Sequence, residues 1–134
     1  MRVLLFQTRF EDDIRNGLKI STIRGEARCR PGDTLSLRKW SGKPYRTKQV
    51  ILGEVRCVTV KRIRLYMSDD DKLGVTIDGL PSRKITYLNA LASIEGFSDF
   101  RELTQWFQAN HGISKDKSFE GAQIIWDNSP FFTA

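Results

Sequence analysis

The chain has 134 residues, 40% of them hydrophobic and 28% charged, which suits one domain with a single core. No apolar run approaches the roughly 20 residues of a membrane span, and two cysteines with one histidine and no Cys-x-x-Cys leave a zinc site too few ligands. The formal charge of +6 is uneven: residues 1–66 hold 16 Lys or Arg against 6 Asp or Glu, whereas residues 67–134 hold 6 against 10. A basic half of that kind suits a polyanion, RNA or a nucleotide, against the plainer reading of a solvated basic surface.

Taken along the chain, Val3–Phe6 reads as a short apolar strand. As an apolar run it is too short for a signal peptide, so the chain reads as cytoplasmic. Arg9 to Asn16 reads as one or two helical turns stopped by Gly17. Lys19–Arg24 is expected to be a strand, in which Thr22 and Arg24 share a face. Lys19, an odd number of positions back, can join them only through a bulge or bend. Pro31-Gly32-Asp33 signals a turn, after which Thr34–Trp40 alternates and leaves Leu35 and Leu37 on one face. Ser41 to Pro44 breaks that strand. Gln49–Tyr66 supplies a long β-branched run, bent near Gly53.

Asp69-Asp70-Asp71 marks a solvated loop rather than a metal site, because adjacent carboxylates rarely converge. Leu73–Ile77 reads as a strand and Asp78 to Ser82 as a turn; Tyr87–Ile94 looks helical. Asp99 and Glu102 have capping-box spacing, and Phe100, Leu103 and Phe107 form an apolar stripe ending at His111-Gly112. Phe119–Trp126 closes the pattern as a strand. Strands, then helices, then a strand predict an α+β fold: a small, mostly antiparallel barrel with flanking helices.

Three groups of residues could carry chemistry. A threonine hydroxyl becomes a nucleophile when a base takes its proton, and a lysine can serve once burial or nearby cations lower its pKa. Thr22, Lys19 and Arg24 suit that arrangement; the plain alternative is a β-former between exposed strand cations. Arg38-Lys39-Trp40 and Lys43-Pro44-Tyr45-Arg46 interleave cations with aromatics at a hairpin tip, a pattern that suits single-stranded RNA. The alternative there is a turn whose Trp40 packs back on the body. His111 sits where a helix should end, a position that favours a cation. Trp106 and Trp126 read as core or lid, Phe131-Phe132 as a packing tail, and Cys29 and Cys57 as ordinary thiols.

The run Phe6 to Arg24, with Arg-Phe-x-Asp-Asp-Ile at Arg9–Ile14 and Gly-x-Lys-x-x-Thr-x-Arg at Gly17–Arg24, resembles the ASCH family of the PUA-like superfamily. Within it the chain is most similar to small bacterial N4-acetylcytidine amidohydrolases, and Glu95 to Leu103 resembles the glutamate-led segment that opens their later helix. The chain departs from them in a longer stretch between Leu65 and Ala92 and in Gly25, where they carry an acidic residue.

The resemblance implies a PUA-like barrel whose cleft accepts a modified pyrimidine nucleoside and hydrolyses an N-acyl amide. Thr22 would be the nucleophile, Lys19 the base and Glu95 the acid or orienter. Arg9 and Arg24 would bind substrate, and no metal or organic cofactor would be needed. Two other readings remain from the same residues: a non-catalytic RNA-binding module and an ASCH-type ribonuclease. A protein-interaction domain is a weaker third.

Overall fold

Backbone pairing gathers every strand among the described residues into one sheet. A computed structural model of the protein describes residues 1–69 and 72–127. Its strands are β1 (Arg2–Leu5), β2 (Ser21–Arg24), β3 (Thr34–Trp40), β4 (Gln49–Met67), β5 (Leu73–Ile77), β6 (Leu80–Ser82) and β7 (Phe119–Asp127). Its helices are α1 (Glu11–Arg15), preceded by a 3-10 turn at Thr8–Phe10, then α2 (Ile85–Ile94) and α3 (Phe100–His111). Asp70, Asp71 and the Phe131-Phe132 tail lie outside the described residues.

The β-branched run forms β4, the hub of the sheet. Antiparallel β3 pairs with its first half, from Trp40↔Gln49 to Thr34↔Arg56, and β5 with its end, from Ile63↔Ile77 to Met67↔Leu73. Along its other side β7 runs antiparallel from Arg56↔Asp127 to Leu65↔Phe119 and carries β2 on its outer edge. The register with β3 shifts where Leu37↔Gly53 gives way to Arg38↔Ile51, at the bend expected near Gly53. β6 pairs with β5 after a turn at Asp78-Gly79, so part of the segment read as a turn is a strand. Among the described residues the one parallel ladder joins β1 to β3.

The α+β class, the mostly antiparallel sheet and the flanking helices follow the sequence reading, but the sheet does not close into a barrel. β1 and β2 share no ladder. The chain leaves β1 for the 3-10 turn and α1, and only Ser21–Arg24 of the expected second strand pairs with a neighbour. Across the gap Arg24 Nη2 donates to the Leu5 carbonyl at 2.8 Å. A side chain thus does locally what a closing ladder would do.

The core lies between the sheet and the helices. Leu4, Leu35, Leu37, Leu65, Leu103 and Ile124 are each at most 1% exposed, and each such burial contributes about 1.5–3 kcal/mol. Ser36 is buried as well, its hydroxyl taking Arg38 Nε at 2.8 Å. In α3 the apolar stripe buries Leu103 and Phe107. Its start is capped by Asp99, which accepts from the Glu102 N–H at 2.8 Å. The return half of the capping box is absent: Glu102 instead takes Arg9 Nη2 at 2.8 Å and the Ser98 N–H at 3.4 Å.

Candidate active site

Backbone hydrogen bonds, not a strand, position Lys19. After α1 ends, Leu18 and Lys19 both donate to the Asp13 carbonyl, at 2.8 and 3.0 Å. The Ile20 N–H then reaches the Ile94 carbonyl at 2.9 Å, and the Ile20 carbonyl takes the Trp126 N–H at 2.9 Å. This bend between helix and strand solves the parity problem. Lys19 turns inward while Thr22 and Arg24 share a face of β2, where Arg24 Nε donates to Thr22 Oγ1 at 3.0 Å.

Lys19 is only 3% exposed. Its amine donates to the Ser21 carbonyl at 2.7 Å and to the Glu95 carbonyl, and lies 4.7 Å from the centre of the Phe10 ring and 5.5 Å from that of Phe6. Glu95, 2% exposed, brings Oε1 to 4.0 Å from that amine. Its Oε2 accepts from the Ser21 hydroxyl and from Gln123 Nε2. Burial pushes the Lys19 amine down to about 8, the Glu95 charge opposes that, and Arg24 and Arg9 add to it. Arg24 is pushed down to about 10, mainly by burial and then by Arg2, and stays charged at neutral pH.

Gly96 makes room for the lysine. Its φ is +95°, and a Cβ there would sit 2.9 Å from Phe10 Cδ1 and 3.0 Å from Lys19 Cδ. Gly121 has a similar part beneath β2, where a Cβ would meet the Arg24 carbonyl oxygen at 2.2 Å. Side chains of other residues would displace the lysine stem in one case and the strand in the other.

Lys19, Thr22, Arg24 and Glu95 all line one cavity of about 350 Å³ at the open β1–β2 edge. That volume lies within the range of small-molecule sites. No direct hydrogen bond joins Lys19 to Thr22. The walls are Phe6, Phe10, Phe97 and Trp106, with Gln7, Asn110 and His111 also on the lining. Spacing does not single out Phe6, Phe10, Phe97, Gly96, Ser21, Gln123 or Asn110 as site residues, and Trp106 reads only as core or lid. Asn110 lies three positions beyond Phe107 and next to His111, so extending the α3 stripe by one turn would have found it. His111 stacks on Phe107 with ring centres 5.1 Å apart, and burial, with Lys117, lowers its pKa.

Arg9 is not among the lining residues. It pairs with Glu102 at 2.8 Å and lies over the Phe10 and Phe97 rings at 4.7 and 5.0 Å, tying the first helical turns to α3.

The hairpin-tip residues divide into two groups. Arg38 is held by Ser36 and Gln49, and Lys39 pairs with Glu11 at 2.6 Å. Trp40 lies against Tyr45 with ring centres 5.1 Å apart and planes tilted by 48°, and the side chains of Lys43 and Arg46 are exposed. Cys29 is half-buried and Cys57 buried, both as free thiols.

A larger concavity, about 1190 Å³, lies between the β5–β6 hairpin and helices α2 and α3. It contains no buried ionisable side chain among the described residues, whereas the smaller cavity is lined by buried Lys19 and Glu95. No helix among the described residues is long and apolar enough to cross a membrane. No cluster of three His, Cys, Asp or Glu suited to a metal occurs among them.

Fold and site together define a small α+β protein with a buried lysine, hydroxyl and carboxylate in one cavity. Compared with protein-family models, with characterised proteins and with solved structures, the chain matches none.

Proposed function

We propose that the protein hydrolyses an N-acyl amide on the exocyclic nitrogen of a modified pyrimidine nucleoside, with N4-acetylcytidine as the type substrate. One observation carries this reading: a buried amine pushed down to about 8 shares a cavity with a threonine hydroxyl. A neutral fraction of about a tenth at pH 7, rising to half near 8, lets Lys19 act as a base, which an ordinary lysine at about 10.4 does poorly.

The two N–H bonds of the neutral amine are taken by the Ser21 and Glu95 carbonyls, which leaves its lone pair for an incoming proton. Thr22 Oγ1 bonds to the acyl carbon as its proton passes to Lys19, directly or through one water, and the carbonyl electrons move onto oxygen. Arg24, already bonded to Thr22, supplies a cation to that oxyanion. The exocyclic nitrogen leaves with the proton returned by Lys19. Water then splits the acyl-threonine ester, with Lys19 as base again. Glu95 orients the lysine rather than donating a proton, since its Oε2 is taken by Ser21 and Gln123 and its Oε1 faces the amine.

The resemblance of Gly17–Arg24 and of the Glu95 segment to N4-acetylcytidine amidohydrolases supplies the substrate. The aromatic walls and the amides of Gln7 and Asn110 suit a pyrimidine. Incubating the pure protein with N4-acetylcytidine should release cytidine, with an acetyl group trapped on Thr22 detectable by mass spectrometry. Bound nucleoside without cytidine release would overturn the proposal.

Two further readings rest on the tip and its charge. In one, the protein is an RNA-binding module without turnover, favoured by the exposed Lys43, Tyr45 and Arg46. In the other, Lys19 activates a ribose hydroxyl and single-stranded RNA is cut. Incubation with RNA separates them: bound strands support the first and cut strands the second.

A further inference from the structure

The cavity has a neighbour. A recess of about 370 Å³ lies beside Trp40, Gly42 and Pro44, and its other wall is Leu5, Phe6 and Gln7, which also line the Lys19–Thr22 cavity. The segment after β1 is therefore a shared partition, with a buried reactive group on one side and an aromatic platform on the other. We infer that this recess is a second base subsite, so that the target base is presented within single-stranded RNA with its neighbour stacked at Trp40. The inference rests on reading the Lys19–Thr22 cavity as one that accepts a base.

Three observations support a strand over a free nucleoside. Tyr45, whose ring contacts that of Trp40 at a 48° tilt, is 87% exposed and sits at φ +65°, a backbone conformation costly for a bulky side chain. No core contact requires that ring there. Lys43 and Arg46 are exposed on the same loop, and neither side chain joins an ion pair among the described residues. The segment Ser41–Gln49 holds cations and no carboxylate. Stacking rings beside unneutralised cations suit bases and phosphates rather than an acidic or apolar protein face.

The test compares N4-acetylcytidine with a pentaribonucleotide carrying one such residue, using wild type, Trp40→Ala and Tyr45→Ala. Anisotropy of a fluorescein-labelled pentamer gives binding, and cytidine or deacetylated pentamer gives turnover. Loss of one stacked base should weaken pentamer binding about tenfold in Trp40→Ala. The ratio of pentamer to nucleoside kcat/KM should collapse by a similar factor. Tyr45→Ala, a change at a fully exposed ring that the fold tolerates, should move both readings in the same direction. Pentamer binding equal in wild type and both variants would overturn the subsite, whether or not the nucleoside is hydrolysed. Turnover of neither substrate, with pentamer binding still dependent on Trp40, would retire the amidohydrolase and support the subsite.

Discussion

Replacing Lys19 with methionine tests the centre of the site without using its substrate. The native amine is 3% exposed and loses its proton at about 8, whereas the unfolded chain holds that proton up to 10.5. Between those values the unfolded state binds one more proton than the native state, so this group's contribution to stability rises with pH. Below about 8 both states are protonated and the contribution is flat, at its least favourable. At about 1.4 kcal/mol per tenfold change in proton affinity the full difference is about 3 kcal/mol, and about 2.5 kcal/mol of it falls between pH 7 and pH 10. Lys19→Met removes that dependence. Costs that do not vary with pH, such as the two carbonyls left without a donor, cancel when the wild-type-minus-variant difference at one pH is subtracted from that at the other. Urea unfolding of both proteins at the two pH values, followed by circular dichroism, should therefore show the wild type gaining about 2.5 kcal/mol relative to the variant. A difference that stays level, or shrinks as pH rises, would refute the account of Lys19 as a buried amine pushed toward its neutral form.

Thr22→Ala and Lys19→Ala should each abolish release of cytidine from N4-acetylcytidine, and the double variant should be little worse than either, because such residues act as a unit; additive losses would argue against a shared step. The wild-type rate should rise about tenfold per pH unit and level off near 8 as Lys19 becomes neutral, so a rate that falls over that range would assign the base elsewhere. Gly96→Ala should cost about 1–3 kcal/mol in thermal or urea unfolding, since it adds a Cβ against Phe10 and Lys19 at φ +95°; an unchanged midpoint would show that the lysine stem is not so confined. Affinity for single-stranded RNA should fall steeply with salt, and Lys43→Ala or Arg46→Ala should each flatten the log–log slope by about 0.7. Lys39→Ala should flatten it less, because Glu11 already neutralises that amine at 2.6 Å.

Local pattern was enough to place most elements. Strand periodicity placed β3 and the long β4, and the stripe with its Asp99 cap placed α3, because these signals depend on residues a few positions apart. Gly17 marked the end of α1 for the same reason. Spacing also put Thr22 and Arg24 on one face, which the 3.0 Å contact between them bears out. What spacing could not supply was the path of Lys19. It enters the cavity because Ile20 bonds to Ile94 and to Trp126, residues more than seventy positions away, and because Gly96 leaves room for its stem. The open β1–β2 edge likewise has no local signal. Closure depends on whether two strands separated by a helix can meet, and here the Arg24 side chain and the cavity occupy that gap. The lowered pKa of Lys19 is tertiary for the same physical reason: sequence supplies the amine and its charged neighbours, but desolvation, the largest cause of the shift, exists only once the sheet and helices have excluded water from it.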